Sequence, residues 1–164
     1  MIEAMIPHMK PSPSGSRIVN VSSRLGRLSG RRNRISNVSL RERLGDVESL
    51  SEELIDNTVS TFLEQVKDRS WFTRGWPQMY TDYSVSKLAV NCYTRMMARE
   101  LSGRPDHHKI YINCCCPGWV KTAMTGWNGN ISAKDGADTA VWLALLPDQT
   151  AGGKFFAERR EINF

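Results

Sequence analysis

The stretch Tyr83-Ser84-Val85-Ser86-Lys87 holds the residue types best suited to chemistry. In a helix, a tyrosine and a lysine four positions apart lie one above the other on a single face. An ammonium beside a phenol favours the phenolate, because an opposite charge stabilises the ionised form. Such a pair suits general acid–base work on oxygen, for example handing a proton to a carbonyl as it becomes an alcohol. Four tyrosines among 164 residues make one Tyr-x-x-x-Lys uninformative alone. The competing reading is a surface tyrosine above a solvated lysine, so the neighbours must decide.

Two other stretches end in groups that could face this pair. Arg17-Ile18-Val19-Asn20-Val21 is a β-branched run closed by Ser22 and Ser23, the pattern of a buried parallel strand. In open parallel sheets ligands bind beyond the carboxyl ends of strands, where these hydroxyls fall. Their alternative use is to bond local backbone. Ile110 to Cys116 reads as a second buried strand, opening into Pro117-Gly118-Trp119-Val120-Lys121-Thr122. That opening offers backbone groups and a hydroxyl at the edge of a cleft.

The remaining elements must position these three. Met1, Ile2, Met5 and Ile6 have helical spacing, and a Pro/Ser/Gly-rich turn follows. Residues 27–47 are polar, basic and aperiodic, hence loop. A helix begins near Ser49, capped either by Ser49 with Glu52 in capping-box spacing or by Ser51, with an apolar face of Leu50, Leu54, Ile55, Val59, Phe62, Leu63 and Val66. An aromatic loop, Trp71 to Tyr80, leads into a helix over 80–101, whose buried stripe is Val85, Leu88, Ala89, Cys92, Met96 and Leu101. Met124 to Asn130 reads as mobile. Ser132 caps a helix through Leu146, with Ala137, Ala140, Val141, Leu143 and Ala144 inward and Pro147 ending it; residues 152–158 make a last strand. Strands alternating with helices argue for α/β with a parallel sheet. One domain is the natural count for this length.

The net charge is +5, and Arg24, Arg27, Arg31, Arg32, Arg34, Arg41 and Arg43 crowd one region. That cluster could attract nucleic acid or an anionic cofactor, but no zinc-finger spacing or aromatic ladder accompanies it, and a solvated loop is the simpler reading. Cys114, Cys115 and Cys116 alternate sides in a strand and so do not converge on one metal. With Cys92 they read as reduced, buried thiols of a cytoplasmic protein. No apolar run reaches the ~18–20 residues of a membrane span.

Taken together, Ile18 to Ser23, Tyr83 to Lys87, and Asn113 to Cys116 with Pro117 to Thr122 occur in an order that resembles the short-chain dehydrogenase/reductases. The lead-in Gly75-Trp76-Pro77 and the run Leu143 to Pro147 are similar to the carbonyl reductase branch, most of all its plant neomenthol dehydrogenase and salutaridine reductase kind. The resemblance implies a partial Rossmann-like, doubly wound parallel sheet, the later half of that fold, as a single domain over 1–164 with residues 27–78 inserted before the catalytic helix. It implies reduction of a small-molecule ketone or aldehyde, or oxidation of the alcohol, with NADP(H), NAD(H) not being excluded. Tyr83 would donate the proton. Lys87 would assist it and hold the nicotinamide ribose, and Ser23 would bond the substrate oxygen. Pro117, Gly118, Val120 and Thr122 would lie against the nicotinamide. The same resemblance favours a monomer while the oligomeric state stays open, and the residues themselves argue for neither nucleic-acid nor membrane partners.

The departure from the family is equally specific. No G-x-x-x-G-x-G phosphate turn lies in these residues. The reductase reading therefore competes with a catalytically inactive remnant that binds a partner, and a sheet short of its first strands would leave apolar surface open.

Overall fold

The β-branched runs form the strands that their composition favours. The computed structural model describes residues 1–31, 33–146 and 151–164. Strand β1 (Ser16–Val21) pairs parallel with β2 (Ile110–Cys115) along its whole length, from Ser16 opposite Ile110 to Val21 opposite Cys115. Next comes β3 (Phe155–Ala157), parallel to β2. The sheet order is β1-β2-β3-β4, and β4 (Arg160–Ile162) runs antiparallel to β3. The last strand expected over 152–158 is thus a short hairpin. Its two-residue turn, Glu158-Arg159, has both φ values positive (54° and 56°), the handedness that suits a tight hairpin.

Helices cover both faces. Of the first helical segment, only Ile2–Met5 (α1) is α-helix. Helix α4 (Thr81–Leu101) buries Val85, Leu88, Cys92, Met96 and Leu101, as the stripe predicts, together with Met97. It packs with Ile18, Ile110 and Ile112 in one cluster. Helix α5 (Ala133–Leu145) packs with Val19, Cys115 and Phe156 on the opposite face. The two-residue period of the strands separates those sets, which makes the sheet doubly wound. Cys114 and Cys116 share one cluster and Cys115 another, so the three thiols do alternate.

Helix α3 (Glu52–Lys67) starts where Ser51 Oγ accepts from the Leu54 N–H. Its face buries Ile55 and Phe62 but leaves Leu63 and Val66 exposed; the apolar stripe is wider than the neighbour it meets. Residues 27–47 are not all loop. Asn37 caps α2 (Val38–Gly45), which buries Leu44. The phase of α5 also differs: Gly136, Thr139 and Leu143 face inward, while Ala137, Val141, Ala144 and Leu145 face out. Gly136 is small because an added Cβ would lie 2.5 Å from Val120 Cγ2. Pro147 lies outside the described residues. With Val21 also exposed, apolar surface is open along β1 and α5.

Candidate active site

Tyr83 and Lys87 sit in the first two turns of α4, both half-buried. The Lys87 ammonium lies 5.6 Å from the Tyr83 ring centroid and donates to the Val21 carbonyl at 3.1 Å. The helix face and the carboxyl end of β1 therefore meet. One N–H of the ammonium is used there, and an ammonium has three.

The serines that follow Val21 divide their work. Ser22 is buried, and its hydroxyl donates to Asn91 Oδ1 at 2.6 Å. Asn91 Nδ2 donates in turn to the Gly26 carbonyl at 3.0 Å. Gly26 presses on α4 so closely that an added Cβ would lie 2.4 Å from the Lys87 carbonyl carbon. Ser23 Oγ accepts from the Leu25 N–H at 3.1 Å and caps the 3-10 turn Arg24–Gly26. Local backbone bonding is thus present at Ser23, yet it uses only the acceptor side. A hydroxyl keeps its own O–H to donate.

Pro117 and Gly118 border a cleft of about 580 Å³ beyond the carboxyl ends of β2 and β3, facing Trp119, Ile131 and Thr139. Arg24, the residue after Ser23, lines the same cleft and pairs with Glu158 at 2.9 Å. Gly118 has φ +87°, and a Cβ there would meet Ile131 Cδ1 at 2.8 Å, so glycine is required twice over. Val120 and Thr122 are engaged within their own loop. The Val120 carbonyl accepts from Thr125 Oγ1 at 2.7 Å, and Thr122 and Thr125 cap one another reciprocally. The stretch expected to be mobile is tied back as well: Trp127 donates to Thr122 O at 2.8 Å and Asn130 to Trp119 O at 2.8 Å.

Elsewhere, a depression of about 440 Å³ lies at the amino ends of the strands, beside Arg95, Arg99 and Lys109. Arg99 is committed there to the Glu48 and Leu50 carbonyls at 2.8 and 2.9 Å, which is structural work. Burial pushes the Cys92 thiol up to about 12 and Cys115 up to about 11. Such thiols are poor nucleophiles and poor metal ligands. Asn33 and Asn91, both buried, were not singled out in the sequence; an amide inside the apolar stripe of α4 was the available signal for Asn91.

Residues 73–130 match the family model described as short chain dehydrogenase. The chain is 38% identical over 164 residues to (+)-neomenthol dehydrogenase of Capsicum annuum, covering 100% of this chain and 48% of that protein. It is 37% identical to carbonyl reductase [NADPH] 1 of Oryctolagus cuniculus over 95% of this chain and 54% of the relative. Among solved structures, salutaridine reductase of Papaver somniferum superposes with a TM-score of 0.77 at 38% identity, over 94% of this chain and 49% of that one. The chain spans about half the length of the curated relatives it matches.

Proposed function

Because the chain belongs to the short-chain dehydrogenase/reductase family, we propose that Tyr83, Lys87 and Ser23 serve NADPH-dependent reduction of a small-molecule carbonyl. The observation that carries the reading is the 3.1 Å bond from Lys87 to the end of β1, which sets Tyr83 and the serine turn at one end of the sheet. In the mechanism, the Tyr83 hydroxyl hands its proton to the substrate oxygen, and the Lys87 ammonium stabilises the phenolate left behind. The Ser23 O–H, which has no acceptor among the described residues, holds that oxygen as negative charge develops on it. The hydride is what a reduced nicotinamide supplies when bound.

The residues present fit the nicotinamide-ribose end of such a cofactor. Lys87 has two N–H donors left for ribose hydroxyls once Val21 is served, and Pro117 and Gly118 offer main chain at the cleft. The fit stops at the diphosphate, for which these 164 residues carry no glycine-rich turn. That gap favours a second reading, a non-catalytic module that binds a protein partner. A monomeric cytoplasmic enzyme acting on a ketone, aldehyde or the corresponding alcohol completes the first reading.

Two measurements divide them. Tryptophan fluorescence is titrated with NADPH, then NADPH consumption is followed with cyclohexanone and benzaldehyde as probes. Quenching at micromolar NADPH, with consumption lost in Tyr83→Phe, supports the reductase. No quenching across that range supports the binding module, and turnover retained in Tyr83→Phe removes Tyr83 from its role.

A further inference from the structure

A buried amide from the arginine-rich stretch joins the two parts of this site. Asn33 is 6% exposed. Its Nδ2 donates to the Leu25 carbonyl at 3.2 Å and to Ser84 Oγ at 2.9 Å, with a longer approach of 3.4 Å to the Met79 carbonyl. Its Oδ1 accepts from the Met79 N–H at 3.0 Å. Leu25 is the residue whose N–H holds Ser23 Oγ. Ser84 is the residue after Tyr83, and its hydroxyl donates to the Met79 carbonyl at 2.7 Å. One side chain therefore spans from the residue whose N–H holds the serine hydroxyl to the turn that presents the phenol.

The helix needs this external hold. Helix α4 begins at Tyr80 with φ 45°, a left-handed conformation, and has no side-chain cap of its own. A start strained in this way persists only where surrounding contacts over-determine it. Asn33 supplies them through Met79 and Ser84, from a segment remote in sequence. Asn91 holds the other flank of the serine turn through Ser22 and Gly26.

We infer that Asn33 is a positioning residue for the proposed reaction, its amide fixing the Ser23 hydroxyl relative to Tyr83. The inference rests on the reductase reading above. Asn33→Asp tests it, because the near-isosteric carboxylate keeps an acceptor for Met79 and loses both donors. Hydrogen exchange in residues 22–26 and 79–84 should accelerate about tenfold while Ile110–Cys115 exchanges as in the wild type. In the NADPH assay kcat should fall about tenfold with KM for NADPH unchanged. Asn33→Ser, which restores one donor, should lie between the two. Exchange that rises equally in Ile110–Cys115 would mean a general structural role and overturn the inference. So would local loosening without any loss of kcat, or no change in exchange. A wild-type chain without turnover counts against the reductase reading itself, and the exchange pattern still decides whether Asn33 holds the two segments together.

Discussion

The Lys87 ammonium and the Val21 carbonyl are joined at 3.1 Å, which ties the helix of the phenol to the last residue of β1. Ser16 and Ser22 donate to the Lys109 and Cys115 carbonyls of the neighbouring strand. By the two-residue period, the main-chain groups of Val21 point the other way, toward the open edge of the sheet. The lysine thus satisfies a carbonyl that no strand among the described residues reaches. Lys87→Met keeps most of the apolar stem and removes the donor. Stability should fall by about 1 kcal/mol, read as a lower urea midpoint at unchanged slope. In the reductase assay, KM for NADPH should rise and kcat should fall together. An unchanged midpoint would show that the ammonium does not hold the strand end.

The serine turn is held by shape as well as by bonds. At Gly26 an added Cβ would lie 2.4 Å from Lys87 C and 2.6 Å from Leu88 N. Both are backbone atoms inside a helix, so neither moves cheaply. Gly26→Ala should therefore cost about 1–3 kcal/mol and loosen Asn91 from the Gly26 carbonyl. Gly103 is the control, since nothing lies within 4 Å of a Cβ added there. Thermal unfolding of the two variants side by side decides the point. Equal midpoints would show that the turn does not press on α4.

The elements that depend on periodicity were legible, and those that depend on single side chains were not. Helix α4 and the two long strands follow from their apolar spacing, and Ser51 announces α3 as a cap. Helix α2 was hidden by its arginines, since only Asn37 and the Leu40–Leu44 pair mark it. The phase of α5 was misread because its inward positions include Gly136 and Thr139, small or polar residues chosen to fit close to the sheet. The hairpin turn Glu158-Arg159 has left-handed φ without glycine or asparagine, so it carried no turn signal. Within the proposed site, Tyr83, Lys87 and the serines stand out in the sequence as a motif. Asn33 was not, because a lone amide gains its meaning only from what folds around it.

The thiols give a test of packing that is independent of catalysis. Cys92, Cys114, Cys115 and Cys116 are free and buried. Desolvation raises Cys92 to about 12 and Cys115 to about 11, and it raises Cys114 further still. At mildly alkaline pH the thiolate, which is the reactive form, is therefore scarce at these three positions. Iodoacetamide should label the native chain slowly and the urea-unfolded chain quickly at all three, as counted by mass spectrometry. Rapid labelling of the native protein at Cys92 or Cys114 would contradict the sheet-to-α4 packing described above.

The hairpin after β3 is fastened to α5 by Arg159, whose side chain pairs with the Asp138 carboxylate and whose N–H donates to Thr139 Oγ1 at 3.2 Å. The hydrogen bond from Arg159, with its charge, holds the Asp138 carboxyl below the usual aspartate range. A carboxyl depressed in the folded state contributes stability that is present above its unfolded value, about 3.9, and lost as pH falls through the lower folded one. Asp138→Asn keeps the shape and removes the charge. Its urea midpoint should lie slightly below wild type at neutral pH, and the gap should close as acid protonates the wild-type carboxylate. Added salt should narrow the gap too, because both partners are exposed to solvent. A gap that stayed constant from neutral pH into acid would mean that the ion pair contributes no charge-dependent stability to the hold between the hairpin and α5.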